Sequence, residues 1–296
     1  MEKLVVLAGT NASGKSGLGI ELAKKYGAEI ISADSRQVYT GLDLGSGKVT
    51  KEEMQSVPHH MIDVVEPDTF FSLLDFQEQA YQAVDDVLGR GRKAFLVGGT
   101  GLYVNSVVDG YNIRKQNPDL KLRAQLNAKS TEELTEIIRG INPDALRNMD
   151  FHNRQRVERA AERALAGDTA PRVNIPRYET LVIGVTWPRE ILYERIRERL
   201  DRRLEQGMIE EVRGLREQGV SDGFLYGLGL EYRYILMYLR GEFPDFEAFY
   251  EKLFMEIRHL AKEQMTWFRK RTDMHWIDMT GDPVSEAEQL IGEFYS

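Results

Sequence analysis

Short apolar runs alternate along the chain with longer segments in which apolar and polar residues recur at helical spacing. The runs predict buried strands at residues 4–8, 29–33, 61–65, 94–97, 180–185 and 275–277. The longer segments predict helices at residues 17–26, 72–89, 189–217 and 246–271. Strands that alternate with helices are typical of a parallel sheet with helices on both faces, so we expect an α/β fold.

The pattern changes between residues 112 and 177, where no strand is predicted. Apolar positions there recur at helical spacing over residues 120–128, 131–139 and 154–165, and turns are predicted at 117–118, 140 and 142–143. We therefore expect an all-helical insertion domain, residues 112–177, within a discontinuous core domain that comprises residues 1–111 and 178–296.

The composition excludes several classes of protein. Its 42% hydrophobic and 29% charged residues are typical of an ordinary soluble globular protein. The absence of cysteine excludes disulfides, thiolate zinc sites and cysteine nucleophiles, and the five histidines are not clustered at metal-ligand spacing. No apolar stretch approaches the roughly 20 residues that span a bilayer, and the first strand leaves no room for a signal peptide. We expect a cytoplasmic protein that does not contact membranes.

Charge is distributed unevenly between the two predicted domains. The net charge of −8 argues against a nucleic-acid partner, but residues 111–177 hold 13 Lys or Arg and 9 Asp or Glu, which gives +4 there and −12 elsewhere. Arg156, Arg159 and Arg163 fall on one face of a predicted helix, which suits a phosphate backbone. Two interpretations remain open: a surface that binds a polyanion, and a solvated surface that is salt-bridged by Glu158 and Glu162.

The first predicted strand runs into a phosphate-binding P-loop. This loop consists of Gly9, Thr10, Asn11, Ala12, Ser13, Gly14, Lys15 and Ser16, and a predicted helix follows it. Its glycines let successive backbone N–H groups point inward, and the N-terminus of the helix adds a positive field. Lys15 supplies a mobile cation, and the Ser16 hydroxyl can join the coordination shell of Mg²⁺. The motif predicts a site that binds a diphosphate.

Two more candidate loops follow other predicted strands. Asp34 comes after the second strand, so its carboxylate is expected at the carboxyl edge of the sheet, where ligands of such folds bind. It is a candidate base, and capping of a following helix is the alternative. Residues 97–103 follow the fourth strand and present Thr100 among three glycines. This loop allows a close approach to a ligand, or it simply makes a tight turn.

Several motifs occur together in one order. They are the P-loop, Asp34-Ser35-Arg36-Gln37-Val38-Tyr39, Val57-Pro58-His59-His60, Gly98-Gly99-Thr100-Gly101-Leu102-Tyr103 and Asn153-Arg154-Gln155-Arg156-Val157. Further stretches are residues 205–212, the turn 227–229 and residues 261–269. In this order they resemble the tRNA dimethylallyltransferases over about residues 3–278, and the combination is far more specific than any single motif.

The resemblance implies a P-loop kinase-like fold and an activity. The activity is transfer of a dimethylallyl group from dimethylallyl diphosphate to the exocyclic amine of the adenine 3′-adjacent to the anticodon of tRNA. The P-loop, with Mg²⁺ at Ser16, and Arg199 are then expected to hold the diphosphate. Asp34 is expected to accept the proton of the amine, and Thr100 to lie near the bridging oxygen. Asp34, Thr100 and Arg199 are thus the expected catalytic residues.

The expected partner is the anticodon stem-loop of tRNA, bound by a monomer. A stacked adenine is unreachable and must be extruded, and the resemblance places Ser35, Arg36 and Gln37 against it. The complete set of expected tRNA contacts is Asp34, Ser35, Arg36, Gln37, Thr100, Arg123, Gln155, Arg156, Val157, Glu158 and Arg159. His59 and His60 are expected to shape the wall of the site.

A later predicted helix carries three arginines on one face. They are Arg195, Arg199 and Arg202, at positions i, i+4 and i+7. From spacing alone a solvated helix face is the alternative, and Arg199 is the one that falls on the family's diphosphate-binding arginine.

The chain departs from the family pattern at several positions. Gly47 stands where alanine is usual, and Leu230-Glu231-Tyr232 replaces a Tyr-Lys-Glu-like order. Ile257 and Glu263 stand where threonine and a basic residue are common. These departures concern RNA contacts more than chemistry. Two other functions stay open: a P-loop kinase that uses ATP on a small molecule, and a non-catalytic tRNA-binding paralogue.

Overall fold

The computed structural model describes residues 1–114, 119–147, 149–170 and 173–296. The turn predicted at 117–118 lies outside the described residues. The chain falls into two compact units: one is Met1–Tyr111 with Ile175–Ser296, and the other is Asn112–Asn174. The first is an α/β unit, and the described part of the second consists of helices and their connections.

The α/β unit is built on a parallel sheet, which confirms the predicted fold class. Its strands are β1 (Lys3–Gly9), β2 (Ala28–Ala33), β3 (His59–His60), β4 (Lys93–Gly98), β5 (Glu179–Thr186) and β6 (Met274–Asp278). Their order is β3-β2-β4-β1-β5-β6, and every neighbouring pair is parallel. The carboxyl ends of these strands therefore meet at one edge of the sheet, with β1 and β4 in the middle.

Helices cover both faces of this sheet. In chain order, the helices of both units are α1 (Lys15–Tyr26), α2 (Lys51–Met54), α3 (Leu73–Gly89), α4 (Gly101–Val108), α5 (Leu120–Asn127), α6 (Thr131–Ile141), α7 (Arg154–Leu165), α8 (Arg189–Glu205), α9 (Met208–Glu217), α10 (Asp222–Leu228), α11 (Leu230–Leu239), α12 (Phe246–Phe268) and α13 (Pro283–Tyr295). Leu4 and Val6 of β1 pack with α3 and α4, whereas Val5 and Leu7 pack with α1 and α13. This division follows from the alternation of side chains along a strand. Over the described residues, none of these helices has the length and apolar character needed to cross a membrane.

Two predicted elements are wrong in their bounds. The apolar run 61–65 is not a strand, because Met61 and Asp63 adopt left-handed backbone conformations with φ of 64° and 54°. The strand in this part of the chain is instead His59–His60, which pairs with β2. The segment 189–217 is not one helix. Gly207 has φ of 97°, which ends α8 and lets α9 begin at Met208 in a new direction.

The helical unit has a small core of its own. Its helices α5, α6 and α7 are joined by short connections, with a 3₁₀ turn at Pro143–Leu146. The core consists of Leu126, Leu134, Ile138, Val157, Ala160 and Ala161. Ser130 begins α6 with a capping box, in which its hydroxyl accepts the N–H of Glu133 and the Glu133 carboxylate accepts the N–H of Ser130. Apolar residues at helical spacing thus give this segment a compact fold.

Candidate active site

A cavity of about 570 Å³ opens at the carboxyl edge of the sheet. Three loops meet there: the P-loop after β1, the turn that begins at Asp34 after β2, and residues Gly99 and Thr100 after β4. One face of α8 and one face of α12 complete its wall. The cavity therefore brings together the three segments that the sequence indicated separately.

The P-loop has the curled backbone that its sequence predicts. Ala12 and Gly14 adopt φ of 56° and 84°, and α1 begins directly after them at Lys15. The Lys15 ammonium donates a hydrogen bond to the Thr10 carbonyl at 3.1 Å. The Ser13 hydroxyl is buried and has no hydrogen-bond partner within the described ranges. The curled backbone and the N-terminus of α1 suit this loop to an anionic ligand.

Residues far along the chain hold the P-loop in this shape. Gln264 of α12 accepts the N–H of Asn11 at 2.8 Å and donates its amide to the Gly99 carbonyl at 2.9 Å, so it joins two loops of the cavity. Trp187 donates its indole N–H to the Ser13 carbonyl at 2.9 Å. The sequence alone assigned neither side chain to the site. In the structure, residues 260, 263, 264 and 267 of α12 line the cavity at helical spacing.

Two basic groups in the cavity have lowered pKa values. Burial lowers the pKa of Lys15 to about 8, an effect that the charge of Asp34 opposes and that of Arg199 reinforces. Burial, with the charge of Arg203, lowers the pKa of Arg199 to about 10, while Glu231 and Asp34 act against it. The charged forms of both groups are therefore short of counter-charge, which an anionic ligand supplies.

Asp34 lies at the start of a turn and not at the start of a helix. Its Oδ1 atom accepts the N–H of Arg36 at 3.0 Å and that of Gln37 at 3.4 Å. Oδ2 accepts no hydrogen bond from the part of the chain that the structure describes. The alternative that Asp34 caps a following helix is therefore wrong: one carboxylate oxygen stabilises a turn, and the carboxylate lines the cavity.

The neighbours of Asp34 are engaged with the protein itself. The Gln37 side chain accepts the Ser32 hydroxyl at 3.2 Å and donates to the Gly47 carbonyl at 3.2 Å, so both ends of its amide are occupied. Thr100 caps α4 by position, and its hydroxyl oxygen accepts the N–H of Ser35 at 3.1 Å. The loop after β4 is therefore more than a tight turn, because it carries the hydroxyl of Thr100 to the Asp34 turn.

All three arginines of the predicted stripe on α8 line the cavity, and the interpretation as a solvated face applies only to Arg202 among them. Arg195 donates to the Ala12 carbonyl at 3.0 Å and stacks on Trp187, with 4.5 Å from its guanidinium carbon to the ring centroid. Arg199 donates to the Gly47 carbonyl at 3.2 Å. Arg202 is exposed. A fourth arginine of α8, Arg203, is buried beside these three, and the sequence did not indicate it.

The two adjacent histidines have different environments. His59 lines the cavity, and burial lowers its pKa. His60 instead contacts the buried Glu29 carboxylate at 2.7 Å. Only His59 therefore belongs to the wall of the cavity.

Two oxygen donors of the kind that Mg²⁺ prefers lie among the residues of the cavity wall. The Ser16 hydroxyl and the Asp34 carboxylate line it, and both are hard ligands of the kind that Mg²⁺ prefers. Within residues 1–114, 119–147, 149–170 and 173–296, no three His, Cys, Asp or Glu side chains are grouped to hold a metal. A donor set of this size matches Mg²⁺ that completes its coordination with phosphate oxygens and water.

The predicted tRNA contacts on the helical unit differ in exposure. Gln155, Arg156 and Arg159 are exposed. Glu158 accepts a hydrogen bond from Arg154 at 2.7 Å, and Arg123 and Arg159 both bind Glu162. Val157 is fully buried in the core of the unit, so the prediction that it contacts tRNA is wrong for its side chain. The basic stripe is therefore salt-bridged in part and open at Arg156.

The departures from the family pattern lie in the core or beside the cavity. Ile257 is buried within the layer of α8–α12. Glu263 is exposed on the wall of the cavity. Glu231 is buried and contacts Arg36 and Arg203. Gly47 lies under the guanidinium groups of α8.

Comparison with known families matches this architecture. The family model described as IPP transferase matches residues 37–271. The chain belongs to the IPP transferase family. A second model, described as isopentenyl transferase, matches residues 2–67, so the two together span both the P-loop and the later segments of the IPP transferase chain. The family predicted from the motifs is therefore confirmed.

Individual relatives extend the similarity over almost the whole chain. The tRNA dimethylallyltransferase 1 of Geotalea uraniireducens is 40% identical over 292 residues, which cover 97% of this chain and 96% of the relative. A crystal structure of the tRNA isopentenylpyrophosphate transferase from Bacillus halodurans aligns with a TM-score of 0.77 and 35% identity, covering 99% and 97% of the two chains. A eukaryotic dimethylallyltransferase acting on tRNA aligns with a TM-score of 0.82 at 22% identity, which shows the same fold. It covers 100% of this chain and 79% of that one.

Proposed function

We propose that this protein transfers a dimethylallyl group from dimethylallyl diphosphate to the exocyclic amine of the adenine 3′-adjacent to the anticodon of tRNA. The observation that carries the proposal is the convergence of the P-loop, Asp34, Thr100 and Arg199 on one cavity in a member of the IPP transferase family. Relatives of nearly equal length are named for the same transfer.

The diphosphate binds between the P-loop and α8. The loop amides face its oxygens, while Lys15 and Arg199 supply positive charge in a partly buried site. Both cations lack a carboxylate within salt-bridge distance in the described part of the protein. Their charge therefore neutralises the negative charge that builds on the diphosphate as the allylic carbon leaves it. Thr100 donates its hydroxyl toward the bridging oxygen.

Asp34 activates the acceptor amine. An aryl amine is a poor nucleophile because its lone pair is delocalised, so a carboxylate within hydrogen-bond reach both orients it and removes its proton. The bond between the allylic carbon and the bridging oxygen breaks, and the diphosphate leaves with the electron pair. A bond forms from the amine nitrogen to the same carbon, and the displaced proton passes to Asp34.

Mg²⁺ completes the diphosphate site on this proposal. Ser16 is the residue that would hold it, and when bound it would supply further positive charge to the phosphate oxygens. The remaining roles belong to side chains of the protein. Lys15 and Arg199 orient the leaving group, and the Asp34 turn orients the amine.

The helical unit contributes to tRNA binding on this proposal. Arg156 and Gln155 present exposed polar groups on α7 to the phosphate backbone. The target adenine is extruded into the cavity, where the turn from Asp34 to Gln37 receives it. The protein acts in the cytoplasm, as a monomer.

One incubation tests the function. Labelled dimethylallyl diphosphate, Mg²⁺ and unmodified tRNA are combined with the protein, beside a reaction that contains ATP and no RNA. The expected result is label in the adenine next to the anticodon and no phosphate release from ATP. ATP consumption without labelled RNA would instead support a small-molecule kinase, and tight RNA binding without either product would support a non-catalytic paralogue.

A further inference from the structure

Glu231 is a buried carboxylate between two arginines that line the cavity. Its Oε2 atom accepts a hydrogen bond from Arg36 at 2.7 Å, and its Oε1 atom accepts one from Arg203 at 3.1 Å. The Glu231 side chain is only 7% exposed, and those of Arg36 and Arg203 are 18% and 9% exposed. Burial alone would raise the pKa of Glu231, but the two guanidinium groups outweigh it and lower the pKa. The carboxylate is therefore ionised where it holds the two cations.

Without this carboxylate, several cations would face one another at the cavity with little water around them. Arg199 lies beside Arg203, whose charge contributes to its lowered pKa. One nitrogen of Arg203, Nη2, is buried without a hydrogen-bond partner among the residues described. Like charges in a region of low dielectric repel strongly, so Glu231 is what allows Arg36 and Arg203 to stay in place.

Arg36 links this ion pair to the Asp34 turn. Its backbone N–H donates to Asp34 Oδ1 at 3.0 Å, while its side chain is held by Glu231. A change at Glu231 therefore reaches Asp34 through a single residue. Among the groups expected to hold the diphosphate, Lys15 and Ser16 have no direct contact with Glu231 in the described structure. Burial lowers the pKa of Arg199 to about 10 and the charge of Glu231 acts against this, so Arg199 is charged at neutral pH, where diphosphate binding is to be measured.

Two departures from the family pattern belong to the same arrangement. Gly47 has φ of +64°, and a Cβ atom there would lie 2.0 Å from Nη2 of Arg199 and 2.9 Å from Nη2 of Arg203. Glycine thus makes room for the two guanidinium groups. A lysine at position 231, as the family pattern has it, would add a further cation between Arg36 and Arg203. Gly47 and Glu231 are therefore compatible with each other and with this set of arginines.

We infer that Glu231 is a positioning residue for the acceptor side of the reaction: it holds Arg36, and through Arg36 the Asp34 turn, in the orientation that receives the adenine. The inference rests on the proposed function. It assigns Glu231 to the step that uses tRNA, and it leaves diphosphate binding to the P-loop and Arg199.

The test compares Glu231→Gln with a matched control, Glu29→Gln. Glu29 is also a buried glutamate held by two arginines, Arg90 at 2.6 Å and Arg92 at 3.3 Å, but within the described residues this group is not part of the cavity lining. For Glu231→Gln we expect kcat for prenyl transfer to fall by about 10- to 100-fold, while the Kd of a non-reactive thiolo analogue of dimethylallyl diphosphate changes by less than about threefold. Glu29→Gln is expected to lower thermal stability to a similar extent and to retain kcat.

A double-mutant cycle identifies the residue through which Glu231 acts. Arg36→Met is expected to reproduce the loss of kcat, and Glu231→Gln in the Arg36→Met background to add less than about threefold to it. The cycle also provides a test if Glu231→Gln alone does not fold, because Arg36→Met leaves Glu231 paired with Arg203. Unchanged kcat in Arg36→Met, fully additive losses, or an equal loss of kcat in Glu29→Gln would overturn the inference.

Prenyl transfer by the wild-type protein distinguishes failure of this inference from failure of the proposed function. Absence of label in tRNA with wild-type protein removes the proposed function itself. Transfer by the wild-type protein together with full kcat in Glu231→Gln removes only the role of Glu231.

Discussion

The side-chain amide of Gln264 accepts the backbone N–H of Asn11 at 2.8 Å, and so joins α12 to the P-loop. The same amide donates to the Gly99 carbonyl at 2.9 Å. One side chain thereby fixes the distance between the loop that is expected to hold the diphosphate and the loop that carries Thr100.

We predict that Gln264→Leu lowers kcat/KM for dimethylallyl diphosphate by about tenfold, because two hydrogen bonds of about 0.5–1.5 kcal/mol each are lost. Steady-state kinetics at saturating tRNA measure this. Thr266→Ala is the matched control on the same helix, since among the residues described the Thr266 hydroxyl hydrogen-bonds only to the Lys262 carbonyl of its own helix. Equal kinetics for the two variants would show that Gln264 does not position the loops.

Asp34→Asn is expected to lower the chemical step by about two to four powers of ten, because an amide cannot accept the proton of the amine. The isosteric amide keeps an oxygen for the N–H groups of Arg36 and Gln37. Single-turnover transfer to tRNA measures the chemical step, and a filter-binding assay measures the Kd of tRNA. Equal losses of tRNA affinity and turnover would remove Asp34 from the role of base.

Affinity for the diphosphate is expected to depend on pH through Lys15. In the free protein Lys15 is charged below its pKa of about 8 and neutral above it, whereas a bound anion favours the charged form. Affinity for the thiolo analogue should therefore fall by about tenfold between pH 7 and pH 9. Calorimetric titration measures it.

The control for this pH dependence is Lys15→Met. We expect the variant to bind the analogue weakly and with no fall in affinity between pH 7 and pH 9. A flat profile in the wild-type protein would mean that Lys15 does not contact the diphosphate.

Salt dependence distinguishes the two exposed arginines of α7. Arg156 is exposed and has no side-chain ion pair among the described residues, whereas Arg159 binds Glu162. We expect Arg156→Ala to reduce the slope of log K against log salt for tRNA binding by about 1, and Arg159→Ala to reduce it by less. Equal slopes for wild type and Arg156→Ala would place the tRNA backbone elsewhere.

The fold was predictable where one local signal decides the structure. Buried apolar runs identified β1, β2, β4 and β5, because a strand covered on both faces has few other ways to bury them. The strand predicted at 61–65 is wrong for a physical reason. Two of its residues adopt φ of 54° to 64°, so the backbone turns there instead of continuing as an extended strand. The helix break at Gly207 depends on a single φ that helical periodicity does not report.

The loops of the candidate site were predictable from the sequence, but the side chains that hold these loops in place were not. The P-loop, Asp34 and Thr100 are visible because glycines and chemistry-bearing side chains follow strands. Trp187 and Gln264 contact the P-loop from 174 and 253 residues away along the chain. Glu231 contacts Arg36, in the Asp34 turn, from 195 residues away. Side chains recruited from such distances carry no local pattern, so only the folded chain reveals them.

The link between Asn11 and Gln264 also sets an order of events during synthesis. The P-loop leaves the ribosome before the side chain that braces it, which follows 253 residues later, a delay of roughly 10–50 s at typical elongation rates of about 5–20 residues per second. Until α12 has emerged, the nascent chain presents a phosphate loop without its support. We therefore expect a competent diphosphate site to arise only after α12 has been synthesised and has packed against the P-loop.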